Sequence, residues 1–185
     1  LRVRKQFLYE NRKNVKAAII VWDQQEKYLD RKHVIEAAWN WINMTIPVIS
    51  STFASFSRMC KNLGAETLGH LFIDEAGQAL PQAAVGAIYR SRHVMVVGDP
   101  LQIKPVLTLD SNTLYMLGEH FGVTEKYLSA SASAQILADA ASQYGFYRKQ
   151  DKAEDSWVGI PLWVHRRCRY PMFTISNMIS YDGFM

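Results

Sequence analysis

Apolar residues follow two rhythms along the chain. Between residues 23 and 44, in DQQEKYLDRKHVIEAAWNWINM, they recur at Tyr28, Ile35, Ala38, Trp39 and Ile42, with charged groups on the opposite side. This is helical spacing. The rhythm then shortens. TIPVISST predicts a short buried strand, FASFSRMCKNL a helix and GHLFIDEA a second strand. LPQAAVGAIYRS predicts a helix with Pro81 in its first turn, where a missing amide hydrogen costs nothing. RHVMVVGD predicts a third strand. Three strands alternating with two short helices form the pattern of a parallel sheet covered by helices, an α/β fold. The strands are almost wholly apolar, as expected when both faces of a sheet are buried.

Beyond Leu109 the character changes. SNTLYMLGEHFG and SASAQILADAASQYG predict helices, and RKQDKAEDS is a polar, charged stretch suited to a linker. WVGIPLWV predicts a strand that begins something new, followed by a helix from YPMFTISNMIS. These signals place a domain boundary near residues 150–156. Residues 1–150 then form one domain, opening with a helical, basic segment over 1–45, and residues 151–185 begin another.

Composition narrows the class. With 185 residues, 49% hydrophobic and 12% aromatic, the chain has material for a sizeable core, which excludes a disordered protein. No apolar run approaches the ~18–20 residues of a membrane-spanning helix. The chain opens on Leu1 rather than Met and stops at SYDGFM directly after a predicted helix, which reads as a segment of a longer protein. Cys60 and Cys168 are far apart with no CxxC pattern, which fits a reduced, intracellular (cytoplasmic) chain without a zinc site. The histidines are scattered, and none reads as a metal ligand.

The net charge of +4 is clustered. LRVRKQFLYENRKNVK holds Arg2, Arg4, Lys5, Arg12, Lys13 and Lys16 against Glu10, and HRRCR adds Arg166, Arg167 and Arg169. Such clusters suit phosphate-rich partners, and charge alone leaves a merely solvated helix face equally open.

The chemistry lies at the predicted strand ends. Ligands of open parallel sheets bind outside the carboxyl ends of the strands. Here those ends carry Ser50-Ser51-Thr52, Asp74-Glu75 and Gly98-Asp99. A first carboxylate at such an end can hold hydrated Mg²⁺, which binds through one or two carboxylates plus phosphate oxygens. A second, adjacent in sequence, can orient or deprotonate an attacking water.

These stretches resemble a known family. FIDEAGQA resembles the Walker B box (motif II) of superfamily 1 helicases, in the branch that includes the nonsense-mediated-decay helicase, and VVGDPLQIKPV resembles motif III of the same branch. VISSTFAS is similar to the Thr-containing motif that precedes Walker B, and VHRRCRYPMFTISNMISYDG resembles motif IV, which opens the second RecA-like domain. The motifs stand in the family's order over residues 48–183.

The resemblance implies a RecA-like P-loop NTPase sheet flanked by helices, with an incomplete first domain and the start of a second. It implies ATP and Mg²⁺ as ligands and single-stranded DNA or RNA as partner. It makes Asp74 a Mg²⁺ ligand, Glu75 the general base for water attack on the γ-phosphate, and Gln78 a neighbour of the nucleotide. Gln102 becomes the γ-phosphate sensor, Asp99 the support of its loop, and Arg167 the motif IV arginine that reaches the γ-phosphate. Ser51 and Thr52 would touch the nucleic-acid backbone.

Plainer readings stand beside these. Asp99 and Gln102 can cap a turn before Pro100 and Pro105. Arg166 can match motif IV instead of Arg167, because the proline of HRRCRYP falls later than in the family pattern. Ser51-Thr52 can be an N-cap for FASFSRM. Trp39, Trp41, Phe53 and Phe56 can stack on bases or belong to the core.

The P-loop pattern G-x-x-x-x-G-K-[ST] does not occur in the chain. The segment alone is therefore expected to be inactive as an ATPase. The function expected is a segment of an ATP-dependent helicase or translocase. The alternative is a non-catalytic nucleic-acid- or partner-binding module derived from a helicase. A metal-dependent phosphatase or nuclease would want further carboxylate or histidine ligands.

Overall fold

The helical rhythm over residues 23–44 resolves into a short 3-10 turn and one helix, preceded by two further helices. The computed structural model describes residues 2–99, 103–107, 109–124, 127–128, 132–148, 156–162, 164, 166, 168, 170–181 and 183. In it α1 spans Arg2–Glu10, α2 Arg12–Asp23 and α3 Lys32–Thr45, with a 3-10 turn at Gln25–Tyr28 before α3. The continuous helix expected over 23–44 is thus broken near its start. The break lets the chain reverse so that α3 packs on α2, with Trp22 edge-on to Trp39 at 6.1 Å between ring centroids.

Two compact units emerge from the chain, one of residues 1–71 and 83–94, the other of residues 72–82 and 95–185. The first is built on the apolar stripe of α3. Ile35, Ala38, Trp39 and Ile42 are all buried, and Ile35 and Trp39 join Cys60 and Leu63 in one cluster. Trp39 is only 2% exposed, so its place is the core rather than a base-stacking surface. Trp41 instead stacks on Phe7, at 5.9 Å, and Phe56 packs against the cluster. Arg4 donates through its guanidinium to the carbonyls of Met44 (2.7 Å) and Thr45 (2.6 Å). It thereby satisfies acceptors that the end of α3 leaves without helical partners, and places a cation at the negative end of the helix dipole.

Residues 46–52 form no strand, contrary to the reading of TIPVISST. Val48 is 81% exposed there. Pro47 has no amide hydrogen to offer a ladder, and among the described residues no neighbouring strand pairs with this stretch. The helix that follows is present, α4 at Phe53–Met59.

The second and third predicted strands do form, as β1 (Leu68–Ile73) and β2 (Ser91–Val96), and they pair with each other. Leu68 N–H donates to the carbonyl of Arg90 at one end, and Val97 N–H to that of Ile73 at the other. The partners advance together, so the pair is parallel, with α5 (Pro81–Tyr89) as the crossover. His70 and His93 stack in register at 5.0 Å.

The expectation that both sheet faces are buried does not hold. Ile73 and Ser91 are buried, while Phe72 is 69% exposed and Met95 56%. A ribbon of two strands has too few neighbouring elements to cover both faces.

In the second unit α6 (Ser111–Phe121) is capped by Asp110, whose carboxylate accepts from the amides of Asn112 and Thr113 and from the Thr113 hydroxyl. These bonds hold its carboxyl below the ordinary range. Next comes α7 (Ala134–Ala141), and then β3 (Phe146–Arg148) pairs antiparallel with β4 (Ser156–Val158), Phe146 opposite Val158. Most of the expected linker, residues 149–155, lies outside the described residues. The final helix α8 covers Met172–Ser180. No helix among the described residues is long and apolar enough to cross a membrane.

Burial in the α3 cluster pushes the Cys60 thiol from 9.0 up to about 11, against a smaller opposing pull from the Arg90 charge. Because the thiolate is the reactive form, alkylation of native Cys60 at pH 8 is expected to run roughly a hundredfold slower than in the denatured chain. Timed alkylation with mass spectrometry checks this. Since the folded-state pKa lies above the unfolded one, the stability this thiol contributes is present below pH 9 and is lost as pH rises toward 11.

Candidate functional site

The Asp74-Glu75 pair leaves β1 at a sharp change of direction. Glu75 adopts the left-handed conformation, φ 52° and ψ 37°, and so starts the 3-10 turn Ala76–Gln78. A side chain other than glycine in this region is strained. The turn is held by its own polar groups. Glu75 N–H donates to Asp74 Oδ1 at 3.0 Å, Gln78 N–H to the Glu75 carbonyl at 3.0 Å, and Gln78 Nε2 to Glu75 Oε2 at 3.3 Å.

Sheet pairing continues past both strand ends. Val97 N–H donates to Ile73 O at 2.8 Å, and Ala76 N–H donates to Val97 O at 3.0 Å. The segment after β2 is thereby bonded to the turn after β1. Gly98 comes so close that a Cβ on it would lie 2.5 Å from Gly77 N and 2.6 Å from Ala76 N. Only glycine permits that approach. From the other side Ala134 N–H, at the start of α7, donates to Ala79 O at 2.8 Å. Ala76, Gly77 and Ala79 are buried, whereas Asp74, Glu75 and Gln78 are exposed. A buried backbone thus presents three polar side chains outward.

Asp99 follows Gly98 directly. It is half-buried and accepts a hydrogen bond from the Tyr181 hydroxyl, just after α8. The two residues are 82 positions apart in sequence, and no spacing signal announced this partner.

The other predicted residues fall elsewhere. Gln102 and Arg167 lie outside the described residues, while Arg166, the alternative, is exposed. Ser51 and Thr52 belong to the first unit. Thr52 is the N-cap of α4, its hydroxyl accepting from Ser55 N–H at 3.3 Å, and the Ser51 hydroxyl donates to the Thr52 carbonyl at 3.0 Å.

The donor set fits magnesium better than an all-protein metal cage. Two adjacent carboxylates at a sheet end suit a cation that keeps waters and phosphate oxygens as its other ligands. No group of three His, Cys, Asp or Glu residues gathers to hold a metal among the described residues, which is what a two-metal phosphatase or nuclease would need.

Comparison with known proteins gives a family. The AAA_11 family, described as an AAA domain, matches residues 2–109, more than half of the chain. No curated protein and no solved structure matches.

Two substitutions test the turn by urea denaturation. Glu75→Gly removes the left-handed strain and is expected to raise stability by about 0.5–1 kcal/mol, after allowing for the added freedom of the unfolded chain. Gly98→Ala forces a methyl group into the backbone of residues 76 and 77 and is expected to lower stability by about 1–3 kcal/mol.

Proposed function

The chain belongs to the AAA domain family, a domain of P-loop superfamily 1 helicases in the branch of the nonsense-mediated-decay helicase, and from that premise we propose that it is part of an ATP-driven motor. The family is one of nucleotide-using, helicase-type enzymes. In our reading that motor couples ATP hydrolysis to movement on single-stranded DNA or RNA. It spans the later part of one RecA-like domain, to about residue 150, and the first part of the next.

The observation that carries this reading is the turn itself. Two exposed carboxylates stand on a buried, strained backbone that is bonded to Val97, just before Gly98-Asp99. Bound Mg²⁺ would supply neutralisation of the phosphate charge. Asp74 would hold that ion. Glu75 would accept the proton of the attacking water, and its left-handed backbone turns it away from its neighbour's direction. Gln78, hydrogen-bonded to Glu75, would orient that carboxylate and lie near the nucleotide.

Asp99 would steady the loop leading to Gln102, which senses the γ-phosphate, and Tyr181 fixes Asp99. The motif IV arginine, Arg167 with Arg166 as the alternative, would answer from the second domain. Ser51 and Thr52 would meet the nucleic-acid backbone, with the Thr52 hydroxyl already committed to its cap.

A second reading, a binding module without catalysis, is favoured by one feature: the chain contains no P-loop pattern to cradle phosphates. The 185-residue chain alone is accordingly expected not to turn over ATP.

Phosphate release separates the two. It should be measured on the natural protein containing this segment together with a P-loop, with and without single-stranded DNA or RNA, against its Glu75→Gln variant. Stimulated turnover that falls by roughly 10²–10⁴ in the variant is the outcome expected of a general base. Turnover unchanged by the substitution removes Glu75 from that role, and no turnover at all transfers the case to the binding module.

A further inference from the structure

The basic residues near the N-terminus are sorted onto one face by the helices that carry them. In α1, Arg2, Lys5 and Tyr9 follow one another at i, i+3 and i+7, and in α2, Arg12 and Lys16 stand at i and i+4 with Lys13 beside them. Residues at these spacings share a side of a helix. The Arg12 guanidinium lies over the Tyr9 ring at 4.9 Å, which joins the two stretches across the break at Asn11. All six residues are exposed. The five cations make no ion pair with any described residue. Glu10 stands off this face, hydrogen-bonded to Gln6, and Asp23 is at the far end of α2.

Much of the opposite side of the same helices is already occupied. Ala18 is buried, Leu8 and Val15 are half-buried, Trp22 packs on Trp39, and Arg4 is bonded to the end of α3. An amphipathic helix that binds a membrane must offer its apolar side to lipid. Here much of that side is used by the fold: Val3, Ile19 and Ile20 remain exposed but are split between the two helices, while all five cations stand exposed. From Arg2 to Lys16 the stripe runs about 20 Å at helical rise, enough to follow several consecutive phosphates of an extended strand.

We infer that the exposed face of α1 and α2 is a sequence-independent track for the phosphate backbone of single-stranded nucleic acid. This inference rests on the motor reading above and adds to it a surface distinct from Ser51 and Thr52. Binding there is electrostatic, through counterion release, and so carries a steep salt dependence.

The test compares the full chain with two variants of equal charge loss, by fluorescence anisotropy on labelled oligouridine and oligothymidine over a range of salt. One variant is Lys5→Gln, Lys13→Gln, Lys16→Gln. The control is Lys27→Gln, Lys32→Gln, Lys61→Gln, and circular dichroism confirms that both remain helical. The expected result is a tenfold or greater loss of affinity in the first variant. Its slope of log affinity against log salt should be shallower by about two, near 0.7 for each phosphate contact removed. The control should stay within twofold of the parent. Equal weakening of both variants, or of neither, overturns the track while leaving the motor reading standing. No binding by the parent chain overturns the track and counts against the motor reading too. Binding to anionic phospholipid vesicles without binding to either oligonucleotide assigns the face to a membrane and overturns the inference.

Discussion

The parallel pairing of β1 with β2 is the constraint on which the candidate site depends. It does not stop where the strands do. Val97 donates back to Ile73 and accepts from Ala76, so one ladder carries straight into two loops. A parallel pair places both carboxyl ends on the same edge, and a crossover helix is needed to achieve it. α5 is that helix, with Pro81 at its first position. The residues that follow the two strands, Asp74-Glu75 and Gly98-Asp99, meet because of this topology and through no attraction of their own. Three of the carboxylates singled out in the sequence are thus carried on adjoining backbone by geometry alone.

Close backbone approach then demands particular residues. Gly98 lies against the amides of Ala76 and Gly77, and the turn beneath is pinned by Ala134 through Ala79. Held on both sides, the turn can keep Glu75 in a conformation that a free chain would leave. Strain of this kind persists only where surrounding structure over-determines it. The consequence is pre-organisation: the Glu75 carboxylate is fixed from behind by its backbone and from the side by Gln78. A carboxylate held this way needs less ordering to meet a ligand.

Much of this was legible in the chain, and the reason differs by element. The apolar stripe of α3 and the abrupt ends of β1 and β2 are local patterns, so periodicity located them. The close approach of Gly98 to Gly77 was not read from the sequence, because glycine composition alone does not say which backbone comes near. TIPVISST failed because a strand is defined by its partner, and β-branched composition cannot reveal whether one is there. Sheet-face burial failed for the same reason, since an apolar strand says what it could bury and not what covers it. The break between α2 and α3 was hidden because a turn of 3-10 helix preserves most of the helical spacing. Tyr181 was invisible as a partner of Asp99 because a single hydrogen bond across 82 positions leaves no periodic trace.

Charge supplies the last step. Ion pairs among the described residues, such as Arg31 with Asp30 and Lys61 with Glu26, are exposed. Pairs of that kind contribute little to stability. Asp74 and Glu75, by contrast, meet no cation among the described residues, and neither do the five basic residues of α1 and α2 meet an anion. A fold that needed those charges for its own cohesion would have paired them. Left unpaired, each set offers its full field to something outside the chain: the carboxylates to a cation, the lysines and arginines to a polyanion. The two sets belong to different units.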